Sequence, residues 1–251
     1  MTSENSKIII TVLMCLTGYF IGNIVFGSII SKTFKKDVRR TGSGNIGATN
    51  VSRSLGLKIG VLVMLLDALK AYLVVLITAI LLQIVSVKPF DDKESIPLLI
   101  YLPGFFVILG HCYPIQYLVG LIKKDKDIKL KSGGKGVSST FGLLMAFSPF
   151  IGVLFASIWT IITLSTKYVC LGSILSALII SFFVFIPYLN MAYMAYMFDN
   201  DGSIFQFNSL LDQGILCLLL IFNFILVLFR HKGNIIRLIN KNENKIFTKH
   251  K

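Results

Sequence analysis

The sequence predicts an all-α, polytopic membrane protein, a bundle of about seven transmembrane helices with its polar chemistry gathered at the cytoplasmic face. Three observations carry that expectation. Hydrophobic residues make up 55% of the 251-residue chain and charged residues only 15%, against about 25% charged in ordinary soluble domains. Apolar runs of membrane-spanning length recur along the chain. The connections between them alternate between basic and acidic.

The apolar runs occupy roughly 8–30, 59–87, 96–119, 137–165, 168–190 and 213–229. Crossing the hydrocarbon takes about 20 helical residues. The first run exceeds a signal-peptide core and lacks a small-residue cleavage site, so it reads as the first span. Of 25 Lys and Arg, seven lie in 32–58, six in 119–136 and seven in 230–251, whereas Asp91–Glu94 and Asp199–Asp212 lean acidic. Basic loops are retained on the cytoplasmic side during insertion. That puts 32–58, 119–136 and 230–251 inside, and 88–95 and 191–212 outside.

Six spans would bring both chain ends to one side, so an odd number of crossings is needed between Gly136 and Asn190. The long run 137–165 carries Ser148-Pro149 near its middle. Proline removes a backbone donor and commonly opens a helix, and dividing the run there yields seven spans. The N-terminus is then outside and the C-terminus cytoplasmic. No polar stretch is long enough for a second domain, so residues 1–251 are expected to form one.

Composition also excludes some functions. Cys15, Cys112, Cys170 and Cys217 are scattered without the spacing of a disulfide framework or zinc site. Three histidines without neighbouring carboxylates argue against a metal. The formal charge of +13 fits topology signals and contact with anionic membrane lipids. No basic helix is free of the membrane to take nucleic acid.

Three polar clusters interrupt this apolar chain, all at span ends on the predicted cytoplasmic side. The first is DVRRTGSGNIGATNVSR at 37–53. Gly42 and Gly44 let backbone amides approach an anion. Ser43, Asn45, Thr49 and Asn50 add side-chain donors, and Arg53 offers a bidentate fork for phosphate. A bare glycine-rich turn is the plainer alternative, which this density of donors disfavours.

The second cluster begins GHCYP at 110–114 and resumes as SGGKGVSS at 132–139. Gly133, Gly134 and Gly136 repeat the anion-nest pattern at the start of an apolar helix, with Lys135 as a mobile positive charge. Gly136 stands where a Walker loop needs Ser or Thr, which argues against nucleotide hydrolysis. His111 reads as a hydrogen-bonded structural residue at a helix end.

The third cluster is RHKGNIIRLINKNE at 230–243. On one continuous helix, His231, Asn234 and Leu238 share a face, and Arg230 and Arg237 fall together on its neighbour. Arg237 joins the candidate phosphate-binding set. Asp67 and Lys70, three apart within a span, read as a structural ion pair.

Phosphate-seeking clusters around an apolar bundle imply a ligand carrying phosphate and a hydrophobic chain. Two classes fit, an enzyme of phospholipid chemistry and a transporter of an organic phosphate. Transporters commonly show internal repeats and broken helices at the midplane. Polar loops at one face favour the enzyme.

Taken together, the clusters resemble the bacterial membrane glycerol-3-phosphate acyltransferases that use acyl-phosphate, the PlsY family. The match covers Gly-Ser-Gly-Asn-x-Gly-Ala-Thr-Asn-x-x-Arg at 42–53, Gly-His-x-x-Pro at 110–114 and Gly-Gly-Lys-Gly-Val at 133–137. It continues with Arg230, His231, Asn234, Ile235, Arg237, Leu238 and Glu243, and Asp67 and Lys70 also fit. The resemblance spans about residues 18–247.

It implies a seven-helix protein of the bacterial cell membrane with no cofactor. The implied reaction moves a fatty acyl group from acyl-phosphate to the sn-1 hydroxyl of glycerol 3-phosphate, giving 1-acylglycerol 3-phosphate and phosphate. Its implied site residues are Ser43, Arg53, Lys135, His231 and Asn234. Three departures stand out: Asn23 and Val25 where the family carries Gly-Ser-x-Pro, Cys170 where it commonly has Ser, and a basic extension over 120–131, read as a loop contacting anionic lipid in preference to a gate or partner site.

Overall fold

The computed structural model describes residues 3–85, 96–183 and 210–246. Two predicted acidic connections, 88–95 and most of 191–212, lie outside the described residues, as does the tail beyond 246. Every regular element among the described residues is helical.

The first predicted span is divided. Helix α1 (Ser3–Gly22) stops and α2 (Phe26–Thr33) resumes after three residues. Asn23 competes for the helix backbone by donating Nδ2 to Tyr19 O at 2.5 Å. The Lys70 ammonium then receives the carbonyls of Gly22 at 3.3 Å and Ile24 at 2.8 Å. A basic side chain from another helix thus supplies what the interrupted ladder lacks.

Next come a 3-10 turn (Val38–Arg40), α3 (Ala48–Leu55) and the long α4 (Leu57–Val85). Helix α5 (Ile96–Cys112) turns by 54° into α6 (Ile115–Ile122). A single turn, α7 (Ile128–Lys131), leads to α8 (Val137–Phe147). Ser148 is extended, and Pro149 opens α9 (Pro149–Thr166) at its first position. There the proline's missing N–H is not needed, so the break falls where the sequence puts it. Helices α10 (Val169–Phe183), α11 (Leu210–Arg230) and α12 (Lys232–Ile239) follow.

Among the described residues, three stretches are long and apolar enough to cross a membrane: Glu4–Thr33, α4 and α9. The bent pairs α5–α6 and α11–α12 raise this to five, and α8 and α10 are apolar but shorter.

Helix α1 lies along α5, α4 packs on both α5 and α8, and α9 and α10 close the far side. Close backbone approach holds the α1–α5 seam: a Cβ at Gly22 would collide with Val107 O, and one at Gly110 with Tyr19 O. Small residues serve this purpose where lipid removes the hydrophobic drive for helix association. Val75, Tyr101, Ile108, Leu143 and Ile151 fill the interior, while Leu65, Ile161 and Phe222 face outward. The short helices α2, α3 and α12 cluster with the loops that carry the polar motifs.

Candidate functional site

The first motif folds around one side chain. Gly42 and Gly44 adopt φ of 57° and 72°, a left-handed region costly for residues with a Cβ. The loop then wraps over Asn50, whose Nδ2 donates to Val38 O and Asn45 O, both at 2.7 Å. Asn50 Oδ1 accepts the Ser43 amide at 2.9 Å. That amide is therefore spent on the loop, and the Ser43 hydroxyl is left to meet a ligand. Gly47 begins α3 with no side-chain cap, so its first turn presents backbone donors where Ala48 and Thr49 line a cavity.

The second motif is clamped by its carbonyls. Arg230 donates from Nη2 to Gly133 O at 2.8 Å and from Nε to Gly134 O at 3.0 Å. Its guanidinium also stacks over Tyr113, 5.1 Å from the ring centre. The Gly134 amide donates to His111 O at 3.0 Å. Any Cβ on Gly134 would strike the His111 ring. Gly136, with φ of 84°, starts α8 and presents Lys135 to the third motif.

Arg230 and Arg237 do not share a face. The chain bends 57° at His231 between α11 and α12, which corrects the expectation of one continuous helix. His231 and Asn234 are nevertheless both buried. The His231 Nδ1 lies 2.8 Å from Val227 O. A carbonyl only accepts, so Nδ1 carries the proton and Nε2 of the neutral ring is an acceptor.

From here a polar chain runs across the site. Lys135 Nζ donates to Asn234 Oδ1 at 2.5 Å, and Asn234 Nδ2 donates to Glu243 Oε1 at 2.6 Å. The other carboxylate oxygen of Glu243 accepts from Arg237 Nε at 2.8 Å. Arg53 reaches the adjoining segment through Nη2 and Asn244 O at 3.4 Å. Burial lowers the Lys135 pKa to about 8, with Arg237 and Arg230 adding to the effect and Glu243 opposing it. Burial likewise lowers Arg53, again against the pull of Glu243. Both side chains are half-buried, and partly desolvated cations favour an incoming anion.

These groups line a cavity of about 330 Å³. Ser43, Asn45, Thr49, Asn50 and Arg53 form one wall, and Lys135, Gly136, His231, Asn234 and Glu243 another. Phe141, Phe155, Trp159 and Val169 give the lining its apolar part, and Cys170 also lines it. Gly42, Gly44, Gly133, Gly134 and Arg237 stand behind this lining and shape it.

Asp67 and His111 reach the floor of the cavity, with Lys70 directly beneath. Lys70 Nζ sits 2.9 Å from Asp67 Oδ1 and 2.9 Å from His111 Nδ1. The buried ammonium and carboxylate compensate one another, as buried charges must. This triad joins the α1–α2 break to the glycine loop above His111. Among the described residues no group of three His, Cys, Asp or Glu is arranged to hold a metal.

Sequence reasoning gave Glu243 no role, although its carboxylate ties the third motif together. It also gave no role to Trp159, the chain's one tryptophan, which lines the cavity.

The pattern of the glycerol-3-phosphate acyltransferase family matches residues 12–241. A glycerol-3-phosphate acyltransferase of Malacoplasma penetrans is 37% identical, across 96% of this chain and 95% of its own length. One from Mycoplasma pneumoniae is 32% identical across 98% of both chains. A crystal structure of PlsY, an integral membrane glycerol 3-phosphate acyltransferase in its glycerol 3-phosphate form, superposes with a TM-score of 0.68. It shares 30% identity and the match covers 94% of this chain and 95% of that one. A lysophosphatidic acid form superposes with a TM-score of 0.66 at 29% identity, covering 94% of each chain. The chain belongs to the glycerol-3-phosphate acyltransferase family, whose members are membrane-embedded acyltransferases of phospholipid biosynthesis.

Proposed function

We propose that this acyltransferase moves a fatty acyl group from acyl-phosphate to the sn-1 hydroxyl of glycerol 3-phosphate. The products are 1-acylglycerol 3-phosphate and inorganic phosphate. The observation that supports it best is the cavity itself: two half-buried cations, Arg53 and Lys135, share its lining with the apolar side chains of Phe141, Phe155 and Trp159. That lining suits a ligand carrying both a phosphate and an acyl chain. Crystal forms of the related PlsY with glycerol 3-phosphate and with lysophosphatidic acid support the acceptor and the product.

Acyl-phosphate is a mixed anhydride, so no covalent enzyme intermediate is required. The glycerol hydroxyl oxygen attacks the acyl carbon, and the bond from that carbon to the phosphate oxygen breaks. The departing phosphate keeps the electron pair and takes the hydroxyl proton. The protein's part is to position the reactants and stabilise charge. Arg53 and Lys135 hold the phosphates, Ser43 aligns the reacting groups, and Asn234 aims Lys135. His231 Nε2 accepts from a glycerol hydroxyl and orients it.

The whole chain works as one domain in the bacterial cell membrane, in contact with its lipids, with the N-terminus outside and the site at the cytoplasmic face. Seven crossings follow if α8 and α10 each complete a span. No cofactor takes part.

The test is an assay of purified protein with glycerol 3-phosphate and each of three donors: acyl-phosphate, acyl-CoA and acyl-carrier protein. Release of phosphate and lysophosphatidic acid from acyl-phosphate alone is expected. Turnover with either thioester would overturn the donor. No turnover at all, with uptake of glycerol 3-phosphate into liposomes, would point to transport instead.

A further inference from the structure

Helix α6 and the basic extension behind it form a surface that the acyl transfer does not use. Asn23 Oδ1 accepts the Ile115 amide at 2.5 Å, which fixes where α6 begins. The 54° turn from α5 then carries this helix, about 12 Å long, away from the bundle. Its apolar side chains are largely uncovered: Ile115, Val119 and Leu121 are exposed, and Ile122 keeps 83% of its accessible surface.

The chain then folds back on this helix. The Asp125 amide donates to Gly120 O at 2.9 Å and the Lys123 amide to Val119 O at 3.0 Å. Asp125 accepts the Asp127 amide at 2.9 Å and pairs with Lys131. That pairing removes one charge of each sign and leaves four lysines of the segment against the single carboxylate of Asp127, with Lys123, Lys124 and Lys126 exposed. The result is an apolar helix continuous with a membrane-embedded one, ending in a fixed cluster of net positive charge.

We propose that residues 115–131 are a docking surface for anionic phospholipid. The side chains of α6 enter the acyl region, and Lys123, Lys124 and Lys126 bind headgroup phosphates. A bilayer offers an apolar layer directly beside a negative one, and this surface has the complementary order. Charges placed so attract acidic lipid cooperatively. The inference does not depend on the acyl donor. It also gives the extension a position, since Ser132 and the glycine loop follow Lys131 at once.

The experiment compares the protein in phosphatidylcholine vesicles with and without phosphatidylglycerol. Acetylation of individual lysines is followed by mass spectrometry, with exposed Lys241 as internal reference. Labelling of Lys123, Lys124 and Lys126 is expected to slow about fivefold relative to Lys241 when phosphatidylglycerol is present, and to recover in high salt. The triple variant K123Q/K124Q/K126Q should retain less phosphatidylglycerol than wild type through purification, with unchanged turnover in phosphatidylcholine. Equal labelling in both vesicles would overturn the proposal. So would protection in phosphatidylcholine by inorganic phosphate, which marks a soluble-anion site. Protection that grows with protein density in neutral vesicles would mark contact between copies and overturn it too.

Discussion

Lys135 and Asn234 are 99 residues apart in the chain, yet the ammonium of one donates to the amide oxygen of the other at 2.5 Å. This contact closes the second motif onto the third. It also distinguishes the cavity's cations: Arg53 bonds a backbone carbonyl, that of Asn244, whereas Lys135 bonds a side chain, that of Asn234.

Replacing either cation tests its part in the site. Lys135→Ala and Arg53→Ala are each expected to lower kcat/KM at least ~100-fold, the scale for losing one preorganised charge-stabilising donor. Both variants should still insert and purify as monodisperse protein. Phosphate release measured beside size-exclusion behaviour checks this, and near-normal turnover would remove the residue from the site.

Lys135 also makes the enzyme sensitive to alkali. Its pKa is lowered by burial to about 8, and only the ammonium attracts a phosphate. Affinity for glycerol 3-phosphate is therefore expected to be full about one pH unit below 8 and to decline as the pH rises through it. KM should be roughly tenfold higher one pH unit past that midpoint. Stability runs the other way. Between about pH 8 and the ordinary lysine range the unfolded chain binds the extra proton, so this group's contribution to stability increases with pH. A KM that stays flat up to pH 9.5 would contradict the assignment.

Glu243 supports that ammonium electrostatically. Glu243→Gln keeps the shape and the bond to Asn234 but removes the charge that raises the Lys135 pKa. The alkaline midpoint of KM should consequently move to lower pH, with kcat at pH 6.5 little changed. Equal pH profiles for wild type and variant would show that the carboxylate acts only as a strut.

Lys70 is expected to hold structure, not substrate. Lys70→Met removes the partner of buried Asp67 and of two backbone carbonyls. The expected cost is about 3–5 kcal/mol, as for other broken buried pairs. Thermal unfolding in detergent measures it. Adding Asp67→Asn should recover part of the loss, because the stranded charge is then gone.

Much of this was legible because the signals were local. Apolar runs mark the helices, Ser148-Pro149 marks the α8–α9 break, and closely spaced glycines mark the loops. What escaped depends on residues far apart. No proline or glycine pair announces the interruption at Asn23–Val25, since it is completed by Lys70 from another helix. The bend at His231 likewise accompanies Arg230 reaching back to Gly133 and Gly134. That contact exists only after the bundle has formed, and the resulting separation of Arg230 from Arg237 is invisible to helical periodicity.

The Lys70 contacts also bear on the order of assembly during synthesis. The carbonyls of Gly22 and Ile24 leave the ribosome 48 and 46 residues ahead of the side chain that receives them. A carbonyl stranded in hydrocarbon costs several kcal/mol. Until α4 arrives, the newborn amino-terminal segment does best as an unbroken helix or with its break still in water. The division between α1 and α2 is thus expected to settle only once α4 stands beside it, since that helix carries the ammonium both carbonyls need.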